Sequence, residues 1–439
     1  MKTDRSSFTH YFWRQFKQNK GAYASLYFLA FLMLIAILAP VIANDRPLLI
    51  KYQKSFFFPA FTFRHSYQIK NSQNDSTETI DLNNNSWNQF YFETVIWAPI
   101  RYSPWKSDFM NANFTGPFEK QKFLNPSGLI LPIPLSCRHW LGTGQRGNDL
   151  LAGLIYGTRV SITVGFISMG IAAFIGLILG SLAGFFGDRT FISTRGEFWM
   201  VILGICAGWF YGIQIWKGIL SKTFSNSFVT ILFEAIFILS DLIVFIGLFT
   251  YIGKWISKLP FLKNKIYIPV DSIISRLIEI LVSLPVFMLI LSLTAILKPS
   301  ILNVILIIGF TSWTVIARLT RAEMLRVRNQ EYIQSARALG YSQLRILLRH
   351  ALPNAISPAI VTISFGIANA ILLESSLSFL GVGVPHDLVT WGSLLNDARG
   401  NYHAWWMVIF PGLMIFSTVT GFNLIGEGLR DAFDPKLKK

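Results

Sequence analysis

Apolar runs about as long as a bilayer is thick recur along this chain, and they constrain its fold more than any other feature. A helix crossing the hydrocarbon core needs roughly 20 apolar residues. Eight runs reach or approach that length: 22–43, 160–185, 198–216, 229–253, 273–297, 301–317, 358–381 and 404–427. They predict an all-α integral membrane protein with a mixed insertion outside the membrane. Only 14% of the 439 residues are charged, against about 25% in a typical soluble domain. Mean hydropathy is +0.46. The first run exceeds the ~7–15 residues of a signal-peptide core, and Pro40 breaks it where a cleavage site would lie. It is therefore expected to be a retained membrane helix.

The net charge is +16. Basic residues sit beside the apolar runs, which makes them topology signals and not a nucleic-acid surface. Arg5, Arg14, Lys17 and Lys20 precede the first run, so the N-terminus is expected inside. Eight crossings then place 186–197, 254–272, 318–357 and the C-terminal tail inside as well. Those segments carry Arg189, Arg195, Lys254, Lys258, Lys263, Lys265, seven arginines in the long loop, Arg430, Lys436, Lys438 and Lys439. The organisation follows. Residues 1–21 form a cytoplasmic amphipathic start, with Phe8, Phe12 and Phe16 on one face lying on the inner leaflet. Residues 22–43 are the first span and 44–157 an extracytoplasmic domain. Residues 158–189 are a core span, 190–268 an insertion with two extra spans, 269–430 the remaining core and 431–439 the tail.

The outer segment is rich in Asn, Ser, Pro and aromatics, including Trp87, Trp97 and Trp105, with a strand-like run at Phe56–Phe63. Its N-x-S/T patterns at Asn74, Asn84 and Asn113 read as chance. Cys137 and Cys206 lie in unlike surroundings and predict no disulfide. The six histidines are scattered, so no metal site or cofactor is expected. Gly142–Gly147 has phosphate-loop spacing, but Asn148 and Asp149 stand where Lys and Ser/Thr are required, so it is not a nucleotide site.

The loop 318–357 is the informative one. Tyr332, Ala336 and Leu339 fall at helical spacing, Gly340 permits a left-handed turn, and Leu344, Leu347, Leu348 and Ala351 repeat the spacing. Pro353 is expected to end the second helix. A rigid helix-turn-helix between two spans could pass a push from a soluble partner into the membrane. A solvated basic loop is the alternative reading of these residues alone.

The stretch Glu331–Gly340 followed by Arg349–Asn354 resembles the "EAA" loop of ABC-importer permeases. Gly340, Leu352 and Pro353 sit in register and Ala336 matches. Gln334 takes the usual Glu position, Ser335 an Ala position and His350 the Ile position. Three more stretches resemble the dipeptide/oligopeptide permease family: His139–Asp149 with Tyr156–Ser161, Leu372–Gly383 and Asn423–Pro435. Asn44–Tyr52 and Ala98–Tyr102 further resemble the microcin-C-type peptide branch, whose outer domain is also enlarged. The resemblance covers roughly 140–190 and 270–439 and implies a core of six spans, to which 190–268 adds two. It implies docking to separate ABC ATPase subunits, a homologous second permease, an extracytoplasmic solute-binding protein and a peptide cargo. No ATPase chemistry is expected in this chain itself.

Charged residues inside spans are functional candidates by default. Glu234 and Asp241 lie on one face of an inserted span; a polar seam or proton coupling would explain them. Glu279 suggests helix-end hydrogen bonding. Asn369, Glu374 and Ser378 are candidate pathway-lining residues in a span rich in small side chains, where close helix packing is the other reading. A proton-driven secondary transporter and a membrane-anchored scaffold are the competing functions.

Overall fold

The computed structural model describes residues 5–52, 55–61, 66–70, 77–81, 93–124, 129–212, 228–259, 261–385 and 387–433. Trp87, the patterns at Asn74 and Asn84, and Lys436, Lys438 and Lys439 fall outside them. Among the described residues six helices are long and apolar enough to cross a membrane, or seven if one bent pair counts as a span.

Helix α1 (Arg5–Gln18) turns at Asn19 into α2 (Lys20–Ile42). Asn19 caps α2 by accepting the Ala22 N–H at 3.1 Å, and its amide donates to Asp431 at 3.2 Å. Phe16 is buried with Ala22 and Ala432, and Phe12 meets Phe433 at 4.9 Å. Part of the apolar face expected on lipid is thus spent inside the protein, on the end of the last helix. The described ends of the chain consequently lie together.

The polar segment between the first two spans holds short antiparallel strands. β1 (Leu49–Tyr52) pairs with β2 (Ser55–Phe57) and β5 (Thr94–Ile96). β3 (Ser66–Lys70) pairs with β4 (Thr77–Asp81), and β6 (Lys122–Leu124) with β7 (Ile130–Pro132). Asp149 ends the segment, ahead of the expected boundary at 157. Its carboxylate accepts the Ala152 N–H and so starts α3 (Leu150–Phe186), a helix of 37 residues. A cap aspartate sets that boundary, which hydropathy does not register.

The insertion is a helical hairpin. β8 (Ile192–Thr194) leads into α4 (Arg195–Tyr211), and α5 (Phe228–Ile256) returns towards β9 (Lys265–Tyr267), which pairs with β8. The expected span 198–216 overlaps α4, whose 17 residues leave it outside the six helices long enough to cross, and 213–216 fall outside the described residues.

The expected span 273–297 is broken. α6 (Val270–Ser283) and α7 (Val286–Ile296) meet at 80°. Leu284 is extended at φ −90°, ψ 138°, because it precedes Pro285, whose ring disfavours helical geometry in the residue before it. The core continues with α8 (Ile301–Val327), α9 (Glu331–Ala338) and α10 (Gln343–Ile346). A π-helical turn (Leu347–Ala351) then leads into α11 (Leu352–Ala355), α12 (Ser357–Phe379), α13 (Trp391–Asp397) and α14 (Trp405–Phe433).

The centre of the core is the crossing of α3 and α8. Gly176, Gly180 and Gly184 recur every four residues on α3. A Cβ at Gly180 would meet the Ala317 carbonyl at 2.5 Å, and one at Gly184 the Arg321 carbonyl at 2.6 Å. Small residues let two membrane helices approach backbone to backbone, where dispersion and weak polar contacts hold them without a hydrophobic driving force.

Candidate functional site

The loop 328–356 is fastened to the spans by its own small core. Ile333, Ala336, Ile346, Leu347, Ala351 and Ala355 are buried with Phe185 of α3 and with Met324 and Val327 of α8. Arg337 lies over the Phe185 ring at 5.5 Å. Gly340 sits between α9 and α10 at φ +78°, a backbone that a β-carbon would strain.

Two expectations for this loop need correcting. Tyr332, Leu339, Leu344 and Leu348 do not join Ala336 and Leu347 on the buried face. Ile333 and Ile346 do, and the other four side chains are exposed, Leu339 at 72%, Leu344 at 61% and Leu348 at 55%. The helices carry two apolar faces, and helical spacing alone had mixed them. Pro353 does not end the second helix. The preceding π turn carries the Leu352 N–H back to the Leu347 carbonyl, so the chain has already widened where Pro353 lacks its donor. Asn354 donates to the His350 carbonyl at 2.7 Å. Gln334 and Ser335 are exposed on α9, Leu352 is half-buried and Pro353 exposed. Ser335 donates to the Glu331 carbonyl and Gln334 to the Asn329 carbonyl.

The candidate pathway residues separate. Glu374 is fully buried and accepts hydrogen bonds from Ser161 of α3 at 3.0 Å and Ser378 at 2.8 Å. Trp391 of α13 packs nearby, donating to the Leu154 carbonyl at 3.1 Å. Glu374 therefore joins helices within this chain and lines no surface. Ser378 borders a cavity of about 380 Å³ together with Trp105, Arg146, Asn148 and Asp387. Asn369 is exposed on another face of α12. Glu279 forms an exposed pair with Arg276 at 2.6 Å. Asp241 lies on the inserted α5, away from this constellation, and the Glu234 side chain falls outside the described residues.

At the opposite end of α3, His139 is buried between two carboxylates. Its Nδ1 lies 2.8 Å from Asp149 and its Nε2 3.3 Å from Asp108. The ring stacks on Tyr102 at 4.0 Å. Burial opposes the positive charge, but the hydrogen bonds and charges of Asp108 and Asp149 prevail and raise the pKa of His139. Burial likewise opposes the Asp108 carboxylate, and His139 with Asn111 outweighs it, lowering that pKa. His139 thus clamps, through its ring, the aspartate that caps α3.

Residues 261–439 match the family described as the binding-protein-dependent transport system inner membrane component. Residues 7–60 match the N-terminal transmembrane domain of oligopeptide transport permease C. The dipeptide transport system permease protein DppC of Haemophilus influenzae is 31% identical over 333 residues, 75% of this chain and 85% of that one. The chain belongs to this permease family of ABC importers. DppC of Alkalihalophilus pseudofirmus is 30% identical over 69% of this chain and 74% of its own length. The inner membrane ABC transporter permease protein YejE of Escherichia coli is 27% identical over 96% of both chains, so that likeness also runs through the enlarged polar segment. The permease is a multi-pass inner-membrane component of a binding-protein-dependent importer, and ATP is hydrolysed in partner subunits.

Proposed function

We propose that this permease pairs with a homologous second permease to form a peptide pathway, and that the loop helices α9 and α10 are gripped by an ATPase subunit on the cytoplasmic side. The exposed Leu339, Leu344 and Leu348 beside the Gly340 turn carry this reading. Their neighbours Ile333, Ile346 and Leu347 bind the loop firmly to α3 and α8. A surface that is apolar on a stiffly held loop suits a partner that must push. The coupling positions Gln334, Ser335, Ala336, Gly340, Leu352 and Pro353 then divide the work. Ala336 and Gly340 set the shape, while Gln334, Ser335 and Pro353 are available to the partner.

In this scheme both termini are cytoplasmic, and the arginine-rich approach to the loop agrees with that. The polar segment faces outward and receives a solute-binding protein. ATP shifts the inward-open and outward-open populations only by its differential affinity for them, transmitted through the loop. The permeases named above for dipeptide and oligopeptide transport support a peptide cargo, and Ser378 at the outer cavity is the candidate wall residue.

Gly340→Pro tests the docking. Proline is locked near φ −65° and cannot adopt +78°. The variant is expected in the membrane in normal amount but without its ATPase in a pull-down. Leu344→Glu should weaken retention by about tenfold, the effect of losing one buried interface leucine. Full retention in both variants would refute docking at this loop.

A further inference from the structure

We infer that Arg321 and Asp271 form the joint through which movement of the loop helices reaches the bent pair α6–α7. The inference rests on the docking reading above, and makes Arg321 a positioning residue. Three elements converge at this point. Arg321 of α8 holds both oxygens of Asp271 through Nε and Nη2, the latter at 2.7 Å. Asp271 is in the first turn of α6. Asp188, just beyond α3, accepts the Ser272 N–H at 2.9 Å and its hydroxyl at 2.7 Å. The start of α6 is therefore tied by charge to α8 and capped from α3.

The loop side of the joint is one packed body. Met324 and Val327, a turn or two beyond Arg321, share the loop's core with Phe185, Ile333 and Ile346. Arg328 donates to the Gly184 carbonyl at 3.0 Å, locking the ends of α3 and α8 together. Further along α6 the buried contacts are apolar, through Ile274 and Ile278. Apolar contacts are non-directional and permit sliding. A two-bond guanidinium–carboxylate fork fixes both distance and orientation. The pair is partly solvated, with side chains 32% and 18% exposed, so its stabilising contribution is modest. Geometry is what it supplies. Held at its first turn, α6 must turn with α8, and the 80° elbow at Pro285 turns that into a swing of α7.

The experiment uses the assembled importer in lipid vesicles, with Cys137 and Cys206 replaced by serine and spin labels at Glu279 of α6 and Leu319 of α8. Pulsed electron paramagnetic resonance reads their separation without nucleotide and after trapping with ATP and vanadate. In the parent protein the distribution is expected to be narrow and the same in both states. Asp271→Asn and Arg321→Gln should each broaden it by about twofold in the trapped state, as expected when a rigid-body contact becomes a sliding one. Arg321→Lys, with its charge but no fork, should fall between. The double variant should be no broader than either single one, because both remove the same contact. ATP hydrolysis should persist throughout. Unchanged distributions in the variants, additive broadening, or a separation that shifts between states in the parent would each overturn the joint. Co-purification of the ATPase with Gly340→Pro decides docking on separate samples, so either idea can fail alone.

Discussion

The core helix α8 and the inserted helix α5 are both apolar enough to cross a membrane, yet 56% of the most apolar window of α8 is buried inside the protein and only 6% of that of α5. The same packing device serves both. Gly180 and Gly184 bring α3 against α8, and Gly204 and Gly208 bring α4 against α5 at Phe249 and Leu242. In the core the contact is one of several around each helix, with α12 and α6 also packed on α3 and α8. In the insertion the two helices chiefly have each other. Their outer faces, including Trp199, Trp209, Ile243 and Trp255, are exposed. Hydropathy reports solvation by lipid. The number of helix neighbours, which hydropathy does not report, separates a packed core from an appendage.

The sharpest way to break this comparison is one substitution made on each side. Gly180→Val would drive side-chain atoms into the Ala317 carbonyl, where a Cβ already stands at 2.5 Å. Backbone cannot yield as a side-chain tip can, so the cost should exceed the ~3 kcal/mol of ordinary overpacking. Loss of the folded permease from membranes is expected. Gly208→Val meets the Leu242 Cα at 3.0 Å and should splay the hairpin while the core still assembles with its ATPase. Equal loss of assembled complex in both variants would mean that the insertion is integral to the core.

A second difference is polar. Glu374 joins α3 to α12 from a fully buried position. Glu374→Ala strands the Ser161 and Ser378 hydroxyls, at roughly 1–3 kcal/mol for each buried group left without a partner. Glu374→Gln keeps one acceptor oxygen and turns the other position into an N–H that a serine hydroxyl can accept, so both hydroxyls keep a partner and the cost should be less than about half as much. Thermal unfolding of the purified permease measures the gap. If the two variants unfold alike, charge and not hydrogen bonding is the operative property.

How much of this was legible in the sequence depends on range. That the chain crosses a membrane many times was, because lipid imposes one length and one polarity on every crossing, but the count of eight was not: six helices among the described residues are long and apolar enough, or seven with the bent pair. The turn at Gly340 was, because φ +78° leaves few residues to choose from. The elbow at Pro285 was hidden by a continuous apolar run, although the proline was in view. Which face of α9 and α10 is buried was not legible, because both faces are apolar, and the choice is made by Phe185 and Met324 from distant parts of the chain. The fork between Arg321 and Asp271 spans 50 residues with no local signature. The His139 clamp was visible only as part of a family-like stretch, since nothing near it announces that Asp108 will reach the ring.

That clamp supplies a third, smaller effect, at the N-terminal end of α3. The raised pKa of His139 means that its contribution is complete below the unfolded value near 6.5 and fades as pH climbs through the folded value. Asp108 runs the other way. Its lowered pKa gives a contribution present above about 3.9 and lost as pH falls through the folded value. Thermal midpoints should therefore drop by a few degrees on the alkaline side, and His139→Gln should flatten that limb. A limb that persists in the variant would assign the alkaline loss to other groups.

The smallest effect should come from removing the insertion altogether. Its two ends already meet, because Ile268 donates to the Phe191 carbonyl at 2.9 Å beside the β8–β9 ribbon. Excising 192–267 and bridging Phe191 to Ile268 with a short glycine-serine turn would leave Asp188, Ser272 and the Arg321–Asp271 fork in place. Closing so short a loop adds little entropy cost. Uptake of a labelled short peptide by cells carrying the excised permease should remain within about threefold of the parent, the scatter expected when no transition-determining contact is lost. A collapse of uptake with the ATPase still bound would show that the exposed faces of α4 and α5 act on the pathway through a neighbour, and the contrast between a packed core and an appendage would have to be given up.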